Sequence, residues 1–279
     1  MSVLSPTQVE QVTALVAAAE RVDGIAPINE AAMLRLREDT GHFLRTEDGV
    51  LAGYAQLHEG SAELVVHPDF RQRGIGVSLG RELVEASGGD LRVWAHGEHP
   101  AAVPLAAALG LERTRLLWKF SYDNTAELPE PRFPDGVVVR TFEVGRDESA
   151  WLRVNSAAFA NHPEQGKWTA ADLAARIAEP WFDPKGFFLL TRDDELVGFH
   201  WTKAHSDVVG EIYVIGIDPT AHGSGLGTSL ALLGLRHLQA QGRKEVILYV
   251  EADNDAAVHI YRKLGFVLVA TDSEYSTTA

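Results

Sequence analysis

AELVVHPDFRQRGIG at residues 62–76 and YVIGIDPTAHGSGLG at residues 213–227 are the two stretches whose reading decides the fold. Each starts as an apolar strand, turns at His67-Pro68 or Asp218-Pro219, passes a glycine-rich loop and opens a helix. Gly74 and Gly225 stand 151 residues apart (225 − 74), and the same offset lays His67-Pro68 on Asp218-Pro219. Further on, Leu109-Gly110 falls on Leu264-Gly265 at an offset of 155, which implies a four-residue insertion between the motifs. A strand, a glycine-rich turn and a helix together make an anion site. The first N–H groups of the helix have no internal partner, the helix dipole favours negative charge, and glycine lets the backbone approach closely.

Working outward, both halves show one order of elements. The first has a helix from Ser5, where Ser5-Pro6-Thr7-Gln8 is a capping box with proline at N1, and a short helix over Asn29–Arg37. Strands follow at His42–Arg45, Val50–Leu57 and Ala62–His67, with Glu47-Asp48-Gly49 as a hairpin turn. After the glycine loop come a helix to about Ser87, a strand at Leu91–Ala95, a helix near Ala101–Leu109 and a strand at Arg113–Ser121. The second half repeats the pattern from a strand at Val137–Thr141 to one at Phe266–Asp272. Between them NTAELPEPRFPDG, residues 124–136, has three prolines and no apolar periodicity and reads as an extended linker. The expected organisation is an N-terminal α/β domain over 1–123, the linker, and a second α/β domain over 137–279.

Composition narrows the function. The chain of 279 residues carries a net charge of −14, which speaks against nucleic acid as a partner. No apolar run reaches the ~18 residues of a membrane span, and Met1 to Glu20 lacks an export signal, so a cytoplasmic, monomeric enzyme is expected. Cysteine is absent and the eleven histidines lack ligand-like spacing, so no metal is expected. Other phosphate binders fit poorly. There is no G-x-x-x-x-G-K-[ST] loop, and the first glycine loop follows the third strand of a meander instead of opening a βαβ unit.

Arg71-Gln72-Arg73-Gly74-Ile75-Gly76 resembles the R/Q-x-x-G-x-G/A signature of the GNAT acetyltransferase superfamily. That resemblance implies two tandem GNAT-type domains, each a central mixed, mostly antiparallel sheet flanked by helices, with acetyl-CoA as co-substrate. The second copy departs from the signature at His222, Gly223 and Ser224. Asn254, Ala257, Tyr261, Leu264, Gly265 and Phe266 resemble the superfamily's downstream N-x-x-A-x-x-x-Y-x-x-x-G-F segment. In the first half the matching tyrosine position is Ala106, and at the 151-residue offset Gly60 stands where the second half has Glu211. The second half is therefore the one expected to react.

Amine acetylation needs a base for the amine proton and an acid for the leaving thiolate, and a carboxylate and a phenol suit those tasks. Glu211, at the start of the cofactor strand, is the candidate base; as a residue type there it reads equally as a solvated strand-end charge. Tyr249 and Tyr261 are the candidate acids, and both also fit core packing. Gly216, inside an apolar strand, points to a bulge or a close approach to ligand.

Longer runs resemble one family within the superfamily, the tandem-domain mycothiol synthases: VDGIAP at 22–27, WAHG at 94–97, NSAAFANHPEQG at 155–166, GFHWTK at 198–203 and LYVEADN at 248–254. The resemblance implies acetylation of the cysteinyl amine of desacetylmycothiol, a small thiol-bearing sugar conjugate. It places Glu30, Glu164, Lys203, Glu211 and Tyr249 on that substrate. It places Leu64, Val65, Val66, Gln72, Arg73, Gly74, Ile75, Gly76 and Val77 on one acetyl-CoA. The reacting acetyl-CoA would lie on Ile215, Gly216, Ile217, His222, Gly223, Ser224, Gly225, Leu226, Gly227 and Thr228, and on Asn254, Asp255, Ala256, Ala257, Val258 and His259. A GNAT enzyme for another small amine or a protein N-terminus, and a non-catalytic acyl-CoA sensor, are the competing readings.

Overall fold

The computed structural model describes residues 3–277 apart from Pro163, Glu164 and Ser224. Two compact units divide the chain. Unit 1 holds Met1–Trp118, Glu251–Asp253 and Ala270–Ala279; unit 2 holds Lys119–Val250 and Asn254–Val269. In unit 1 helices α1 (Pro6–Asp23) and α2 (Glu30–Leu34) lead into a meander of β1 (Gly41–Glu47), β2 (Val50–His58) and β3 (Ser61–Val66). Then come α3 (Ile75–Ser87), β4 (Arg92–Ala95), α4 (Ala102–Leu109) and β5 (Leu111–Asp123), whose last residues belong to unit 2. Unit 2 continues with β6 (Val137–Thr141), α5 (Glu148–Ala158), α6 (Ala170–Ile177), β7 (Phe187–Arg192), β8 (Glu195–Ala204) and β9 (Val209–Ile217). It closes with α7 (Leu226–Ala240), β10 (Glu245–Glu251), α8 (Asp255–Leu264) and the start of β11 (Val267–Thr277). Both units are α/β, with a mixed, mostly antiparallel sheet and flanking helices. None of the described helices is long and apolar enough to cross a membrane.

Local chemistry accounts for these elements. The Ser5 hydroxyl accepts from the Gln8 amide at 3.3 Å while the Gln8 side chain accepts from the Ser5 amide at 2.9 Å, so the capping box starts α1. Val9, Val12, Leu15, Val16 and Ala19 are its buried stripe, and Gly24 at φ 73° ends it. Asp48 and Gly49, at φ 51° and 79°, make the two-residue turn between β1 and β2. The short helix expected over 29–37 is one α turn followed by a 3₁₀ turn at Arg35–Arg37.

The layers meet at glycine. A Cβ on Gly53 of β2 would lie 2.7 Å from Ile75 and 2.9 Å from Leu79, so α3 rests directly on the strand. In unit 2 the other face of the sheet carries an aromatic core. Trp151 and Trp201 are fully buried, and Phe187 stacks on Phe142 and on Trp201 with centroids 4.4 Å apart in both pairs. Each such pair contributes about 0.5–1.5 kcal/mol beyond simple burial.

The last strand departs from the expected plan. A strand ending at Asp272 was predicted; β11 runs to Thr277, and from residue 270 it belongs to unit 1 because it pairs antiparallel with β4, Ser273 opposite Ala95 through Ser276 opposite Arg92. Asp272 anchors it. One carboxylate oxygen accepts from the Gly97 amide at 2.8 Å and the other lies 2.9 Å from His96 Nδ1. His96 Nε2 lies 3.1 Å from Glu63, which also accepts from the Asn29 side chain. All three charged side chains are nearly buried. Burial pulls the imidazole pKa down, but the flanking carboxylates of Glu63 and Asp272 outweigh it and raise it to about 10.

A raised pKa stabilises the fold fully below the unfolded imidazole value of about 6.5 and loses that contribution as pH rises toward the folded value. Thermal unfolding of the wild type should therefore weaken from neutral pH to about pH 10 more steeply than that of His96→Gln. Parallel curves for the two proteins would show that the imidazolium contributes nothing. Asp272→Ala, which leaves the cluster one carboxylate short, should cost about 3 kcal/mol or more at pH 7 by chemical denaturation.

Candidate active site

In each unit two parallel strands begin as a ladder and then part. β3 and β4 pair only at Ser61–Arg92 and Ala62–Val93. β9 and β10 pair from Val209–Glu245 to Ile212–Leu248 and no further. Beyond those points the edges of Leu64, Val65 and Val66, and of Ile215, Gly216 and Ile217, face a gap while their other edges stay bonded to β2 and β8. In unit 1 the gap opens into a cavity of about 700 Å³ whose lining includes Leu64–Val66, Gln72, Gly74–Val77 and His96.

The loops that follow repeat atom for atom in part. Gly74 and Gly225 are the N-caps of α3 and α7, at φ 82° and 75°, and neither helix start has a side-chain cap. A Cβ at Gly74, Gly223 or Gly225 would meet nothing within 4 Å, so both loops are open at these glycines. His67 Nδ1 accepts from the Asp69 amide, and Asp218 Oδ1 accepts from the Thr220 amide, which fixes the turn before each loop. Arg71 Nε donates to the Val66 carbonyl at 3.3 Å, and His222 Nε2 lies 3.1 Å from the Ile217 carbonyl. His222 therefore does the backbone work of the arginine it replaces. The guanidinium of Arg71 is spent on Asp23, bonded at 2.7 and 2.6 Å, and Arg73 lies over Phe70, so backbone amides are the donors that face the cradle.

Two glycines have packing reasons. A Cβ on Gly216 would strike the Phe199 ring at 2.8 Å, and one on Gly227 would lie 3.0 Å from Ile260 of α8. The bulge falls elsewhere: Trp201 pairs with Val214 and Thr202 with Ile212, leaving Tyr213 as the extra residue of β9. Tyr213 and Val214 pack with the aromatic core, and Ile215 and Ile217 pack on the side of α7. Asn254 Oδ1 caps α8 by accepting from the Ala257 amide at 3.1 Å, which aims the helix start that Asp255, Ala256, Val258 and His259 continue.

Glu211 and Lys203 sit directly opposite each other on β9 and β8. Both are largely buried; Lys203 Nζ lies 4.5 Å from the Trp181 ring and 5.2 Å from that of Tyr213. Glu211 Oε2 lies 2.6 Å from His205 Nε2. Arg176 stacks over Trp168 at 3.8 Å and donates to the Tyr213 hydroxyl at 2.9 Å, which fixes the aromatic wall beside Lys203. Tyr261 on α8 is buried against Phe266, and burial alone raises its phenol pKa well above the ordinary value, so it is protonated at neutral pH. Tyr249 stands one residue past the last β9–β10 pair and is exposed. Glu30 begins α2 in unit 1, and Glu164 and Ser224 lie outside the described residues. Sequence reasoning passed over His205 and Tyr213. His205 lies just past the end of β8, in the turn to β9, where strand alternation no longer marks it.

The chain matches the acetyltransferase (GNAT) family over residues 13–111 and 151–266. It is 52% identical to a mycothiol acetyltransferase of Thermomonospora curvata, covering 98% of this chain and 95% of that one. It is 53% identical to a mycothiol acetyltransferase of Streptomyces coelicolor, covering 98% and 93%. Among solved structures, a tandem GNAT protein from the clavulanic acid biosynthesis pathway has the same fold, with a TM-score of 0.72 at 20% identity over 99% of this chain and 96% of that one. A GCN5-related N-acetyltransferase from Sphaerobacter thermophilus aligns with a TM-score of 0.69 at 24% identity, covering 98% and 93%. With two GNAT segments and about half its residues shared over nearly the full length of such relatives, the chain belongs to the mycothiol acetyltransferase family of tandem GNAT proteins.

Proposed function

We propose that this protein transfers the acetyl group of acetyl-CoA to the cysteinyl amine of desacetylmycothiol, the last step of mycothiol biosynthesis, acting as a cytoplasmic monomer with unit 2 as the reacting half. The observation that carries the substrate is the 52% identity to a mycothiol acetyltransferase over nearly the whole chain. What supports unit 2 as the reacting half is its pair of proton-transfer groups, Glu211 and Tyr261, against Gly60 and Ala106 in unit 1. Acetyl-CoA, when bound, supplies the activated acyl group. The α7 amides and the loop from His222 to Gly225 hold its pyrophosphate, and the free edge of β9 from Ile215 to Ile217 holds its amide-bearing arm. Glu211 takes the proton of the amine, directly or through a water. Tyr261, kept protonated by burial, returns a proton to the sulfur. Lys203, with its aromatic wall, and Tyr249 orient the hydroxyl-rich acceptor. Unit 1 keeps a cofactor cradle without the acid or the base.

Turnover of candidate amines, followed by release of CoA thiol, tests the substrate. Desacetylmycothiol should exceed other amines by orders of magnitude in kcat/KM, and equal use of a peptide N-terminus would point to a different acceptor. Gly225→Glu places a carboxylate where the phosphates sit and should abolish turnover, whereas Gly74→Glu should remove one CoA site in calorimetry and leave most turnover in place. Near-complete loss of turnover from a folded Gly74→Glu protein would reverse the division of labour.

Glu211→Gln keeps the shape and removes the basicity, so kcat should fall by ~10²–10⁴. The deficit should shrink as pH rises through about 7.7–8.0, where an α-amine frees itself of its proton. Tyr261→Phe should lower kcat with CoA affinity unchanged, and Tyr249→Phe should act mainly on KM for the amine. The opposite split would give the acid role to Tyr249.

A further inference from the structure

Acetylation leaves a proton to be disposed of. A protonated amine carries three hydrogens and the amide product keeps one. As the nitrogen–carbon bond forms and the carbon–sulfur bond breaks, one departing proton ends on the sulfur. When the amine binds protonated, the other has to leave the protein. Glu211 has little contact with solvent of its own, since its side chain is 8% exposed. The ring of His205, 2.6 Å away, is 37% exposed.

We propose that His205 is the proton exit of the unit 2 site, accepting from Glu211 the proton that leaves the amine and passing it to water. The proposal rests on the reading of Glu211 as the base. With Glu211 protonated on Oε2, His205 Nε2 accepts that proton while Nδ1, which bonds to none of the described residues, releases one to solvent; exchange with water then restores the starting tautomer. The ring is held for this task by a tight turn. The His205 and Ser206 amides donate to the Val209 carbonyl at 3.0 and 3.3 Å, and the Val208 and Val209 amides donate to the Ser206 hydroxyl at 3.3 and 3.1 Å. Arg243 donates to the Ser206 carbonyl from the other side and lies 3.6 Å from Asp207. His205 touches neither amine nor thioester in this scheme; it is a positioning and relay residue acting through Glu211.

The test compares His205→Ala and His205→Gln at low buffer concentration. Glutamine keeps a hydrogen-bonding group beside Glu211 but cannot carry the proton. Both variants should lose on the order of tenfold or more in kcat, with KM for amine and acetyl-CoA little changed. Added imidazole should restore His205→Ala in a saturating manner and leave the wild type unaffected. In the free enzyme the His205 ring-nitrogen resonances should move when Glu211 becomes glutamine. Wild-type kcat in His205→Gln would reduce the residue to an orienting contact and overturn the exit. So would a loss confined to KM, a failure of imidazole to rescue, or ring resonances indifferent to Glu211→Gln. The underlying reading fails separately: if Glu211→Gln itself turns over normally, Glu211 is not the base. A slow Glu211→Gln beside fast His205 variants keeps the base and removes the exit.

Discussion

Backbone amides that lose their strand partner must find another, and much of this molecule follows from where that happens. In both units a parallel pair is bonded for a few residues and then parts, leaving one edge of β3 and one edge of β9 without a neighbour. An extended chain that carries its own amides is the natural occupant of such an edge, by the same logic that adds a peptide strand to an open sheet. The strands do not close again because each is committed elsewhere. β3 is bonded to β2 through Val66, β9 to β8 through Ile217, and the carbonyls of Val66 and Ile217 are gripped by Arg71 and His222. The left-handed glycine caps at 74 and 225 then start α3 and α7 with no side chain capping their first amides.

The path of each strand, glycine loop and helix was legible in the sequence because it is made by local rules. Proline after His67 and Asp218, glycine at the left-handed helix caps, and an apolar strand before each fix the path within fifteen residues. The capping box at Ser5 and the stripe from Val9 to Ala19 were legible for the same reason. What escaped depends on contacts between residues far apart in the chain. The tail from Ser273 to Thr277 has polar residues on both faces and no strand signature of its own; pairing with β4, 180 residues earlier, makes it a strand. Its anchor, the Glu63–His96–Asp272 cluster, joins three positions that no spacing rule relates.

The candidate site residues divide along the same line. Glu211 and Tyr261 could be marked by comparing one half with the other, since the repeat supplies its own control. Lys203 could be placed only by resemblance, and the structure adds why a lysine is tolerated there: Trp181 and Tyr213 face its charge as it becomes buried. Gly216 shows the limit of reading a glycine in a strand. Its missing side chain makes way for the Phe199 ring, and the irregularity of the strand lies three residues earlier, at Tyr213.

The two halves also differ in how the strand before each glycine loop begins. Gly60 stands opposite Glu211 in sequence, but it is not a strand residue. It turns the β2–β3 hairpin at φ 77°, and a Cβ there would lie 2.8 Å from the Asp90 carbonyl. A carboxylate at position 60 would carry both left-handed strain and a backbone clash. Because Tyr213 is an extra residue of β9, the pair Ser61–His58 of unit 1 matches the pair Glu211–Lys203 of unit 2, and β9 starts two residues earlier, at Val209. Those two added residues carry the ladder on past Glu211 and Lys203. The longer turn that the extension requires is the one that carries His205. Unit 2 thus differs from unit 1 at this hairpin both by a residue, Glu211 for Ser61, and by a longer turn, which brings His205 to Glu211.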